Sequence, residues 1–170
     1  MVDMQSSGID QNAIATYQTY FNFAKLIGTT LNDQSYFTGF IDNFGYSGQL
    51  SNRKNYTVLN FINFETIGFP IDGTDDDIDL NLDEVDDTLK MAKWNPEADD
   101  NTCMIFISAA PEAMYNNTSI GLSYASFKTV LGVLVGGATS IPGLTDPLTA
   151  TTLSTADAES VVQKLLEILP

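Results

Sequence analysis

Apolar positions recur along this chain in two periods, and the switches between them mark its elements. In "NAIATYQTYFNFAKLIGTTL", Ile14, Tyr17, Phe21, Ala24, Ile27 and Leu31 fall three or four residues apart. That spacing puts them on one face of an amphipathic helix. Asp10, just before it, has the side chain of an N-cap. "YTVLNFINFE", Tyr56 to Glu65, is dense in β-branched and aromatic residues and predicts a strand. "TCMIFISAA" and "TVLGVLVGG" are near-continuous apolar runs, the pattern of strands buried on both faces. "LTATTL" is a shorter β-prone segment. "TADAESVVQKLLEIL" predicts a closing helix, capped by Thr155, with Val162, Leu165, Leu166 and Leu169 on one face.

Weaker patterns fill the intervals. A short helix is predicted near Gln34 to Phe44. Ile78, Leu80 and Leu82 alternate with Asp77, Asp79 and Asn81, which predicts a half-exposed edge strand. "LDEVDDTLKMAKW" predicts a helix whose acids lie early and whose Lys90 and Lys93 lie late, complementing its dipole. "NNTSIGLSYASFK" predicts another helix. Buried strands alternating with helices imply one α/β domain over residues 1–170, with a mostly parallel sheet covered on both faces. Ligands bind such sheets at the carboxyl ends of the strands. The residues to watch therefore follow Val2, Phe64, Ser108 and Val135.

Composition narrows the chemistry. The 170 residues are 44% hydrophobic, enough for one packed core. Mean hydropathy is -0.01. No apolar run approaches the roughly 18 residues of a membrane span. The start has neither a basic segment nor an apolar stretch, so an excised domain, or one whose leader was removed, is expected. Asp and Glu number 22 against 7 Lys and Arg, for a net charge of -15. That argues against nucleic-acid binding, which needs basic clusters to neutralise phosphates. It also argues against anionic membrane surfaces, and leaves a basic partner or divalent cations. Histidine is absent, which removes His-based triads, His zinc sites and the usual general base. The single cysteine, Cys103, cannot form an internal disulfide and reads as a buried small hydrophobe.

Several local patterns carry candidate chemistry. Nine of the sixteen residues from Asp72 to Asp87 are acidic. Asp75, Asp77, Asp79, Asp83 and Asp86 have EF-hand-like spacing. However, Leu80 stands where the loop needs glycine, and Asp86 stands where it needs Glu. A weak Ca²⁺ loop or a solvated acidic face fits better. "GLSYA" around Ser123 lacks both the preceding strand and the histidine of a nucleophile elbow. Gly136 and Gly137 follow a strand without a phosphate-loop lysine, so a tight turn is expected. Asn55, Asn116 and Asn117 each begin an N-x-S/T acceptor sequon.

The order of segments resembles the von Willebrand factor A, or integrin I-like, domain. An acid-serine loop, "VDMQSSGID", precedes a long amphipathic helix. Then come "YTVLNFINFE", an acidic turn and helix, "CMIFISAAPE", "TVLGVLVGG" and "LTATTLSTADAESVVQKLLEIL". The resemblance covers nearly the whole chain and rests on segment order more than on any one motif. It implies a doubly wound sheet, helices on both faces and one short antiparallel edge strand. It also implies binding or adhesion outside the cell rather than catalysis.

The family's metal-ion-dependent adhesion site is built from D-x-S-x-S, a threonine from a second loop and an aspartate after the fourth strand. Three oxygen-bearing loops of this kind fit a hard ion such as Mg²⁺. Here Asp3 matches the acid, Gln5 replaces the first serine, and Ser7 matches the second. The threonine position falls near Asp83, and the late aspartate position falls at Ala109. The apolar strand before the acid is short, with only Met1 and Val2. The expectation is a single, secreted, non-enzymatic module within a larger extracellular protein. It would bind a protein or glycan, with no cofactor required. Its loops would be Asp3 to Ser7, Asp72 to Asp83 and Ala109 to Asn117, with Asp3, Gln5, Ser7 and Asp83 as the contact candidates. The alternative is a metal-dependent domain holding Mg²⁺ or Ca²⁺ through Asp3, Ser7 and Asp83. An acid-based hydrolase is a remote third reading, since no convergent carboxylate pair can be singled out.

Overall fold

The computed structural model describes residues 1–8, 11–34, 41, 43–44, 80–83, 103–120 and 127–169. Within them the chain is α/β. Strand β1 (Val2–Asp3) leads into helix α1 (Gln11–Gln34), followed by β2 (Asn43–Phe44), β3 (Cys103–Ser108), β4 (Thr129–Leu134), β5 (Leu148–Thr149) and helix α2 (Thr155–Ile168). The strands form one sheet in the order β2-β1-β3-β4-β5, and every pairing is parallel. The longest ladder runs from Cys103↔Thr129 to Ser108↔Leu134.

β1 is short but lies inside the sheet. Val2 pairs with Asn43 on one side and Ile107 on the other. The ladder continues past its ends, where Ile107 N–H donates to Met1 O (2.9 Å) and Met4 N–H to Phe44 O (2.9 Å). Its backbone groups are thereby satisfied from both sides, as a buried strand requires.

Side chains alternate across the sheet, as the two-residue period demands. On one face Val2, Ile107, Leu131, Val133 and Val135 pack under both helices. α1 contributes Ala13, Tyr17, Phe21, Ala24 and Ile27, and Tyr20 and Phe23 widen its buried face. Ile14 and Leu31 are only half-buried. Half-buried Cys103 packs against this cluster, as a small hydrophobe would. On the other face Phe44, Leu82, Met104, Phe106, Tyr115, Ile120, Leu134 and Ile141 form a second core. There Phe44 and Phe106 stack with centroids 4.4 Å apart. Full burial of each such side chain is worth about 1.5–3 kcal/mol.

The β4–β5 crossover carries no helix. It lies directly on the second face, and Gly132 makes room for it. A Cβ there would stand 2.9 Å from Leu144 Cδ1 and 3.1 Å from Ile141 Cδ1.

Several expectations change. Asn43 and Phe44 are strand, not helix, because a parallel partner is available in β1. Leu80, Asn81 and Leu82 do not form the predicted edge strand, and no antiparallel strand occurs among the described residues; Leu82 and Asp83 are helical, in line with the helix predicted from Leu82 onward, and Leu82 N–H is held by Thr118. Asn116–Ile120 is not helical, since Asn116 and Asn117 both take positive φ (45° and 62°). A one-turn 3-10 helix, Glu112–Tyr115, precedes it instead. The Asp10 cap, the Tyr56–Glu65 strand, the helix beyond Asp83, Asn55, Ser123 and the acids Asp75, Asp77, Asp79 and Asp86 lie outside the described residues.

The last helix starts one residue earlier than its sequence signal. Ser154, not Thr155, is the N-cap, accepting from Asp157 N–H. The buried stripe is Ala158, Val161, Val162 and Leu165, while Leu166 is 40% exposed. Asp157 answers the cap by accepting from Thr152 N–H and Thr152 Oγ1–H, both at 2.8 Å. These bonds, the Thr152 N–H foremost, hold its carboxyl below the ordinary value of 3.8. Ser154→Ala is expected to cost about 1 kcal/mol in urea denaturation. A depressed folded pKa adds stability that is complete above the unfolded value and lost as pH falls through the folded one. The stability gap between the parent and Asp157→Asn should therefore be widest near neutral pH and close below pH 3.8. A gap that widens on acidification would refute this assignment.

Candidate functional site at the carboxyl edge of the sheet

β1, β3 and β4 run parallel, so their carboxyl ends share one edge. Asp3 closes β1 there and is fully buried. Its Oδ1 accepts from Gln5 N–H (2.9 Å) and Ser6 N–H (3.0 Å), folding the loop back on itself as an Asx turn does. Its Oδ2 accepts from Ser108 Oγ–H (3.1 Å) and Ala109 N–H (3.0 Å), at the end of β3. One carboxyl group thus clamps two loops that lie more than a hundred residues apart in sequence.

Three tyrosines support the clamp. Tyr115, from the 3-10 turn, donates to Ser108 Oγ (2.7 Å), which also accepts from Ala110 N–H (3.1 Å). Burial pushes the Tyr115 phenol far above its ordinary value; the Ser108 bond opposes this, and the Asp3 charge adds to it. Tyr17, from α1, donates to Gly8 O (2.7 Å) and accepts from Ser7 N–H (3.1 Å). Tyr20, one turn further on, bonds the Ser7 side chain. Burial raises its pKa, that bond lowers it, and the Asp3 charge raises it. The Tyr20 hydroxyl fills the space that a Cβ on Gly136 would need, and Ala109 Cβ would stand 2.9 Å from that position. Gly136 is therefore required twice, for its positive φ of 58° and for this approach.

The residues nominated from sequence are distributed unevenly. Asp3 and Gln5 are buried in the loop, at 0% and 5% exposure, whereas Ser7 is exposed with its hydroxyl turned to Tyr20. Asp83 is exposed, and its N–H bonds Asn81 Oδ1 (3.1 Å). The adjoining Leu82 N–H bonds Thr118 Oγ1 (3.0 Å), which ties this segment to the turn after the 3-10 helix. No hydrogen bond joins Asp83 to Asp3 or Ser7 among the described residues. No cluster of three His, Cys, Asp or Glu side chains able to hold a metal occurs among the described residues either.

Four donors surround the Asp3 carboxyl. All four of its partners present hydrogens, and a cation needs bare lone pairs. In this arrangement the carboxyl organises loops. Ser108 and Asp3 form a hydroxyl-carboxyl pair, and both are fully buried. Ser108, Tyr115, Tyr17 and Tyr20 were not nominated individually from sequence. Ser108 ends an apolar run, Tyr17 lies on the apolar face of the first helix, and Tyr115 lies unremarked within the Ala109 to Asn117 loop.

No family model matches this chain, and no curated protein or solved structure matches it. No helix among the described residues is long and apolar enough to cross a membrane.

Proposed function

We infer that this chain is a von Willebrand factor A-like binding module that engages a protein or glycan ligand outside the cell without an obligatory metal. The reading includes a doubly wound sheet with helices on both faces and an antiparallel edge strand. Three features support it: a parallel sheet with the first strand inside it, a long amphipathic helix directly after that strand, and a terminal helix after the last one. The observation that carries the metal-free part is the Asp3 clamp. The position where the family keeps its first metal ligand is closed by four protein donors. Gln5 and Ala109 replace two further ligands. The ligand surface is then the exposed rim of the same edge, including Ser7, Pro111 and Thr151. The net charge of -15 favours a basic partner.

Arrays of glycans and extracellular-matrix proteins, probed in EDTA, test this reading. Binding is expected to persist in EDTA and to weaken at least about tenfold in Pro111→Arg or Thr151→Arg, since a bulky side chain at the centre of a contact blocks it. Binding that disappears in EDTA, or that ignores both substitutions, would overturn the proposal.

A further inference from the structure

Asn116 and Asn117 begin overlapping sequons, Asn116-Asn117-Thr118 and Asn117-Thr118-Ser119. Both asparagines are exposed and sit in left-handed conformation, at φ 45° and 62°. Asparagine tolerates this conformation better than most residues. Neither side chain has a hydrogen-bond partner among the described residues.

The two hydroxyls that complete the sequons differ sharply. Thr118 Oγ1 accepts from Leu82 N–H (3.0 Å) and lies within bonding distance of Leu80 O (3.2 Å) and Tyr115 O (2.5 Å). It bridges two segments of the second core and is not free to be recognised. Ser119 is exposed and has no partner among the described residues.

We propose that this turn is an N-glycan acceptor and that folding selects Asn117 over Asn116. The donor is a lipid-linked diphospho-oligosaccharide. Asn117 Nδ2 attacks the anomeric carbon, a C–N bond forms, the C–O bond to the diphosphate breaks, the lipid diphosphate leaves, and the amide gives up one proton. Asn116 is withheld because its sequon hydroxyl is locked in the fold. Passage through a glycosylating compartment rests on the extracellular reading above; the acceptor geometry of the turn does not.

The test uses the purified folded chain, a lipid-linked oligosaccharide and a eukaryotic-type single-subunit oligosaccharyltransferase, with glycopeptides mapped by mass spectrometry. A synthetic peptide of residues 114–121 measures the unfolded preference. The folded chain should shift the Asn117:Asn116 ratio at least tenfold towards Asn117 relative to the peptide. Ser119→Ala, at an exposed position and with circular dichroism matching the parent, should abolish the folded-state product. Asn116→Gln should leave it unchanged. A modified peptide beside an unmodified folded chain, an unchanged ratio, or transfer to Asn116 would each overturn the proposal. None of these results depends on what the sheet edge binds.

Discussion

Gly143→Ala is expected to lower the unfolding free energy by about 3 kcal/mol, read as a fall in the urea midpoint. Gly143 has φ +88°, and a Cβ there would collide with the backbone of Ile120. The obstacle is a main-chain carbonyl, not a flexible side-chain tip. The two segments are also laced together, since Ile120 N–H donates to Pro142 O at 2.8 Å. Neither can move without pulling Ile120 and Ile141 out of the second core. The left-handed conformation costs a non-glycine residue about 1–2 kcal/mol, and forced overpacking adds about 1–3 kcal/mol. Gly137→Ala separates the two effects. Its φ is +87°, but nothing lies within 4 Å of its Cβ position, so only the conformational part should appear. Equal losses at the two glycines would refute the close approach. A domain of this size is stable by only about 5–15 kcal/mol, so the larger loss would be plain in any denaturation curve.

Asp3→Ala should cost about 4 kcal/mol, and by the same amount in EDTA and in millimolar Mg²⁺. The substitution strands the Ser108 hydroxyl and the N–H groups of Gln5, Ser6 and Ala109. Each unsatisfied buried donor costs about 1–3 kcal/mol, and water entering the loop recovers part of that. Asp3→Asn should rescue only part of this, because its Oδ1 can still accept from Gln5 and Ser6 while its amide hydrogens would face Ala109 N–H. Thermal unfolding with Mg²⁺, Mn²⁺ and Ca²⁺ distinguishes a clamp from a metal ligand. An ion present at 100 times its Kd would add about 2.7 kcal/mol of stability. The clamp predicts a midpoint that does not move. A rise with Mg²⁺ that Asp3→Ala abolishes would reinstate the ligand set of Asp3, Ser7 and Asp83.

The elements that could be read directly were those whose period is self-contained. α1 and α2 announced themselves through spacing, because a helix buries one stripe and its residues all lie within the segment. β3 and β4 did so as apolar runs, because a central parallel strand is covered on both faces. Errors gathered where a distant partner chose the conformation. β2 became strand because β1 lay beside it. Leu80 and Asn81 left their alternating pattern in a segment that Thr118 holds from the other side of a long sequence gap. The cap moved from Thr155 to Ser154 because the Asp157–Thr152 bonds set the entry to α2.

The candidate site divides in the same way. The family resemblance of the sequence nominated Asp3, Gln5, Ser7 and Asp83. Sequence alone also established the absence of histidine, which removes histidine-based chemistry, together with the single cysteine and the acidic surplus. Those are properties of residue type and count, and no fold can alter them. Tertiary structure alone decided what surrounds Asp3. Its oxygens meet two loops, one local and one from the end of β3, and three tyrosines from two elements brace them. A carboxyl group can hold a cation or gather N–H and O–H donors, and which it does depends on groups that only chain folding brings within hydrogen-bonding distance.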